Sequence, residues 1–177
     1  MPSATAAKPQ SVFRVHIKAD IHDVWREITR TDEPILCFFN SRMAIGPGGL
    51  VPGSKLAMRT PDNRYTGVVG EITECVPPTR LEHTFKFTRL NDPPCRVRYD
   101  LRPAAGGTEF TLTILDAPPG TATEKQMLFG GKLITQTLKR VMETGTPDPR
   151  TRAFFLFMKV MTPLLPGKCR SEHWPVN

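Results

Sequence analysis

The chain has 177 residues, 39% of them hydrophobic, which suits one domain with a real core and is too short for two full ones. Its formal net charge of +7 comes from scattered basic residues, and no helix, finger or aromatic-sheet signature accompanies them, so no specific nucleic-acid binding is expected. The opening MPSATAAKPQ lacks the apolar core of a secretory signal, and no apolar run reaches the roughly eighteen residues of a membrane span; cytoplasmic residence is the simplest expectation.

Residues 12–18, VFRVHIK, alternate Phe13, Val15 and Ile17 with Arg14, His16 and Lys18, which predicts a half-buried strand with His16 in solvent. A helix follows at once: Asp20 caps it, Asp23 lies three residues on, and Ile21, Val24, Trp25 and Ile28 form a stripe at helical spacing. EPILCFF, 33–39, predicts a second short helix with proline near its first turn. GPGGLVPG, 46–53, is followed by no Gly-Lys-Ser/Thr and reads as turns between strands, not a phosphate loop.

From Ser54 to Ala117 the pattern is almost entirely of period two. Leu56 and Met58 share a face, as do Val68, Gly70 and Ile72; then Leu81, His83, Phe85 and Phe87; Cys95, Val97, Tyr99 and Leu101; and Phe110, Leu112 and Ile114. TPDN, VPPT, LNDPP and AAGG supply turn chemistry between the runs. This is an antiparallel meander, apolar on one face and charged or threonine-rich on the other. Arg59, Arg64 and Arg80 read as solvated strand-edge charges.

The cover for the apolar face is a helix from Thr121 to Gly145, in which Met127, Gly131, Ile134, Leu138 and Val141 repeat at helical spacing. Gly130 and Gly131 each cost about 1 kcal/mol relative to alanine inside a helix. They mark either a kink or close backbone contact, or space left over the sheet for a small molecule. Beyond TPDP, Phe154, Phe155, Leu156, Phe157, Met158, Val160 and Met161 crowd into a short apolar helix before Pro163. Such a surface needs cover from the chain itself, from a second copy in a homodimer, or from peripheral contact with an anionic membrane through Arg150, Arg152, Lys159, Lys168 and Arg170.

Cys37, Cys75, Cys95 and Cys169 show neither a C-x-x-C pair nor finger spacing, so reduced thiols are expected; Cys169 with His173 falls short of a zinc site. No metal or cofactor motif is present, and no nucleophile elbow, triad order or dinucleotide fingerprint. The titratable group that stands out is His83, in a row of apolar neighbours. It either buries a ring nitrogen against a backbone carbonyl or Tyr99 and stays neutral, or orients a polar ligand group or acts as acid or base.

The passages IKADIHDVWREIT (17–29), GEITECVPPTRLEHTF (70–85) and GGTEFTLT (106–113) resemble the START-like, or SRPBCC, superfamily. Within it the resemblance is to the family named for the activator of the heat shock protein 90 ATPase. Ala19-Asp20 and Gly130-Gly131 stand where that family often has alanine-proline and glycine-tryptophan. The resemblance implies an α+β helix-grip fold over residues 11–145, a curved antiparallel sheet wrapped around a long C-terminal helix. Residues 1–10 are expected as a flexible N-terminus and 146–177 as a C-terminal extension with a short apolar helix. It also implies a cavity between sheet and helix for a small apolar or amphipathic ligand, whose walls the residue pattern supplies: Trp25, Met43, Met58, His83, Phe85, Tyr99, Phe110, Met127, Gly131 and Ile134. Binding without catalysis is the leading expectation. The alternatives are a cyclase or dehydratase using His83 and Tyr99, and a membrane-surface or protein-interaction module built on residues 150–165.

Overall fold

A computed structural model describes residues 9–177. Strand β1 (Pro9–Ile17) leads into helix α1 (Ile21–Thr29), and six strands follow: β2 (Arg42–Ile45), β3 (Lys55–Arg59), β4 (Thr66–Val76), β5 (Arg80–Phe87), β6 (Cys95–Ala104) and β7 (Gly107–Leu115). Helices α2 (Ala122–Thr144) and α3 (Pro149–Met161) come next, then short 3-10 turns at Thr162–Leu164, Gly167–Cys169 and Ser171–His173. The strands form one antiparallel sheet in the order β1-β7-β6-β5-β4-β3-β2, which curves around α2 as the helix-grip expectation requires.

The ends of the helices follow from their capping residues. The Asp20 carboxylate accepts from the His22 N–H at 2.8 Å and starts α1. The Thr121 hydroxyl accepts from the Glu124 N–H at 3.2 Å and starts α2, and Gly145, at φ 79°, stops it by donating to the Val141 carbonyl. Pro149 opens α3 behind an Asp148 carboxylate that accepts from the Arg150 and Thr151 N–H groups.

Several sequence expectations are corrected. The predicted helix over 33–39 is a single 3-10 turn, Leu36–Phe38, because Phe39 and Asn40 take left-handed φ values of 58° and 55° that end it. The strand β2 was not foreseen. The expected flexible stretch over residues 1–10 lies outside the described residues for 1–8, while Pro9 and Gln10 already belong to β1. Arg80 is paired, with Asp100 at 2.6 Å and Glu74 at 3.5 Å. Close by on the outer face, the buried Glu82 sits between Arg96 at 3.1 Å and Arg98 at 3.3 Å.

After α3 the tail returns over the outer face of the far strands. Tyr65 bridges to Arg170, the Thr66 hydroxyl donates to Ser171 Oγ at 3.0 Å, and the Arg59 guanidinium donates to the Trp174 carbonyl at 3.2 Å. Lys55 Nζ reaches the Asn177 carbonyl at 3.2 Å. Ala57, on the face of β3 opposite Leu56 and Met58, is fully buried in this arrangement.

Candidate functional site

The core lies between the concave face of the sheet and α2. Its largest wholly buried side chain is Phe110, on β7, and Tyr99, Leu112 and Leu138 are buried with it. The glycine pair of α2 is resolved as a close contact. A Cβ on Gly131 would stand 2.4 Å from the Phe13 ring, so the ring occupies the space that a side chain would need, and a Cβ on Gly130 would meet Phe39 at 3.6 Å. Open space over the sheet is thereby set aside at Gly131, while at Gly130 a methyl would make ordinary contact with Phe39.

His83 sits at the centre of β5 and is 0% exposed. Its Nδ1 lies 2.7 Å from the Thr84 carbonyl oxygen, and since a carbonyl only accepts, Nδ1 carries the proton and Nε2 is left as an acceptor. Gly70 on β4 makes this geometry available: a Cβ there would stand 1.9 Å from the same Thr84 oxygen. Nε2 has no hydrogen-bond partner among the described residues. Burial pushes the imidazole pKa down, and the hydrogen bond to Thr84 and the charge of Glu82 offset this only in part. The ring is neutral at neutral pH, with a buried lone pair free on Nε2.

Tyr99 is diagonal to His83, since Leu81 is paired with Tyr99 and His83 with Val97. The two rings approach with centroids 5.7 Å apart, tilted by 38°, and no hydrogen bond joins them. Tyr99 also meets Phe38 at 5.5 Å and Phe110 at 6.0 Å, and Phe85 stacks on His83 at 6.2 Å. Burial pushes the Tyr99 phenol up, and the Cys95 thiol up to about 11, so both stay protonated at neutral pH. Chemically, the free Nε2 in this aromatic enclosure is an acceptor, able to take a hydrogen bond or a proton from a group brought against it.

The structure gathers Met43, Met58, Tyr99, Phe110 and Met127 into the buried core, with His83 buried beside Tyr99 and with Trp25, Phe85 and Ile134 half-buried against it. Met43 and Met58 are opposed across β2 and β3. Met43 also forms the inner wall of an open depression of about 590 Å³ between the end of α1 and β2, lined further by Thr29, Thr31, Ile45, Leu50 and Arg42. Arg42 donates to the Asp32 carbonyl at 2.7 Å, while its Nε is buried without a partner. Sequence reasoning missed Arg42 and the two threonines because β2, which brings them together, was itself missed. A smaller depression of about 240 Å³ lies where Trp174 and Val176 of the tail meet β3 and β4. Among the described residues no group of three or more His, Cys, Asp or Glu could hold a metal ion, and no helix is long and apolar enough to cross a membrane.

Comparison with known proteins agrees with this architecture. Aha1 of Colwellia psychrerythraea, solved as a dimer, aligns at 19% identity over 76% of this chain and 96% of its own, with a TM-score of 0.59. CalU16 of Micromonospora echinospora aligns at 19% identity over 82% of this chain and 81% of its own, with a TM-score of 0.57. DynU16, a protein in the dynemicin biosynthetic locus, is 23% identical over 77% of this chain, with a TM-score of 0.57, and the match spans 48% of DynU16, about half its length. At these identities the likeness is one of fold. No curated protein matches significantly. The model of one family, described as Activator of Hsp90 ATPase homolog 1-like protein, matches residues 6–143, and the chain belongs to that family.

Proposed function

We propose that the chain binds a small apolar or amphipathic molecule in its interior, between the concave face of the sheet and α2. The observation that carries this reading is the orphaned Nε2 of His83. A buried acceptor left without a donor costs about 1–3 kcal/mol, and such groups are rare enough to require a reason. A ligand hydroxyl, amide N–H or protonated acid would supply the missing donor while its apolar body meets Phe85, Tyr99 and Phe110. An apolar enclosure with one placed polar atom is the usual composition of a small-molecule site.

Met43 offers the route. It separates the outer depression from the core, and methionines exchange conformers and repack at low cost, as do Met58 and Met127 behind it. Arg42, which forms no ion pair among the described residues, stands at the rim where the polar end of an amphipathic molecule would remain. The same neutral imidazole could serve as the base of a cyclisation or dehydration, a second reading that demands turnover as well as binding.

The donor requirement gives a direct test. Apolar alcohols and phenols, each paired with its methyl ether, are compared by thermal shift on the wild type and on His83→Leu. The reading expects the hydroxyl compounds to stabilise the wild type more than their ethers, and the difference to vanish in the variant. Equal shifts for alcohol and ether in both proteins would sink it.

A further inference from the structure

α3 carries apolar side chains on two opposite sides, with Arg152 and Lys159 along one edge between them, and only one of these sides is covered. At about 100° per residue, Thr151, Phe154, Phe155 and Met158 fall on one side, and Ala153, Leu156, Phe157, Val160 and Met161 on the other. The first side faces the body at its start, through Thr151, Phe154 and Phe155, while Met158 further along is 41% exposed. Thr151 is buried, and the Phe154 ring meets Phe39 at 6.3 Å and Phe129 of α2 at 6.0 Å. The second side is open: Leu156 is 62% exposed, Phe157 60% and Val160 66%, with Leu164 at 74% just beyond the helix. Phe129, itself 57% exposed, extends this surface onto α2. So much exposed apolar surface on one helix face marks a site of contact with a partner or with lipid.

Charge identifies the cover. Between Asp148 and Glu172 the sequence has no acidic residue and has Arg150, Arg152, Lys159, Lys168 and Arg170. Arg150, Arg152 and Lys159 are exposed and form no ion pair among the described residues. Residues 162–177 do not fold back onto this face, since they run to β3 and β4. A symmetric contact with a second copy would set the same patch against itself, opposing two sets of cations with no carboxylate from this segment between them. With 13 residues, α3 is too short to span a bilayer.

We propose that α3, together with Phe129 of α2, docks the protein on an anionic lipid surface. The helix lies in the plane of the interface, with Leu156, Phe157, Val160 and Met161 at the acyl boundary and Arg150, Arg152 and Lys159 among the phosphates. The proposal is independent of what occupies the interior.

The test is sedimentation of the full chain with phosphatidylcholine vesicles that contain or lack phosphatidylglycerol. The wild type is expected to bind the anionic vesicles on the order of tenfold or more over the neutral ones, given the contribution of each basic residue near a charged surface. Phe157→Asp with Val160→Asp, both on exposed positions, abolishes binding, and Arg150→Gln with Arg152→Gln and Lys159→Gln reduces it to the neutral-vesicle level. Failure to bind anionic vesicles, equal binding to both kinds, or binding that survives the aspartates would each overturn the proposal. So would a dimer in analytical ultracentrifugation that the aspartates dissociate, which would assign the face to a second copy. Circular dichroism of the variants confirms that they are folded, and the wild-type comparison of the two vesicle types stands without them.

Discussion

α2 repeats Met127, Gly131, Ile134 and Leu138 along one stripe and leaves Lys125, Lys132 and Gln136 outside it, whereas α3 carries apolar side chains on two opposite sides. The first pattern fits one sheet face, and α2 lies on it closely enough for the Phe13 ring to take the place of a Gly131 side chain. The second has more apolar surface than the body offers to cover, so Leu156, Phe157 and Val160 remain in solvent. Periodicity, and not the amount of hydrophobic surface, decides which helix becomes part of the core. The interior and the α3 face should therefore respond differently to substitution.

The sharpest contrast comes from the centre of the core. Phe110→Ala removes a wholly buried ring against Tyr99 and should cost about 3–5 kcal/mol in chemical denaturation. Gly131→Ala tests the closeness of α2 directly: the added methyl meets Phe13, and a loss of about 1–3 kcal/mol is expected as in other overpacked cores. A neutral or stabilising result, which the gain in helix propensity alone would give, would show that α2 has room to shift.

His83 makes the interior sensitive to pH. Its folded pKa lies below the unfolded value near 6.5, so above that pH both states are neutral. As pH falls through 6.5 the unfolded chain takes up a proton that the folded chain refuses, and stability declines by at most about 1.4 kcal/mol per pH unit for one proton, until the folded pKa is reached. Glu27, whose carboxyl is raised by burial, works in the opposite sense: its contribution is present below 4.5 and is lost as pH rises through its folded value. The stability of the wild type minus that of His83→Phe in urea titrations isolates the imidazole, and this signed difference should fall as pH drops below 6.5; a constant difference would contradict a buried neutral ring. The smallest effect belongs to the other region. Phe157→Asp should change stability by no more than about 0.5 kcal/mol, because its side chain leaves one solvent-exposed state for another.

Much of the interior was legible in the sequence, for physical reasons visible in particular residues. The alternation from Leu56 to Ile114 and the stripe of α2 are periodic signals long enough to outweigh local exceptions, and they place His83 on the inner face. Features that depend on register were not legible. The turned Thr84 carbonyl, the role of Gly70 beneath it and the free Nε2 arise only when β4 and β5 are brought together. The four-residue β2 carries too few positions to show a period, and with it went the depression around Arg42 and the role of Met43 as its inner wall. EPILCFF has helical composition, yet the left-handed pair Phe39 and Asn40 ends it after one turn. The course of the tail over β3 rests on long-range contacts, such as Arg59 to Trp174, that no local pattern announces.

The central claim is that the interior around His83 receives a small molecule. Native mass spectrometry of gently purified full-length protein, beside His83→Leu prepared in the same way, tests it most directly. The account predicts a retained adduct on the wild type that is lost or strongly depleted in the variant, with the released molecule bearing a hydrogen-bond donor on an apolar frame. A bare mass for both proteins, together with no thermal shift from any of the paired alcohols and ethers, would contradict it and leave the interior as a packed core.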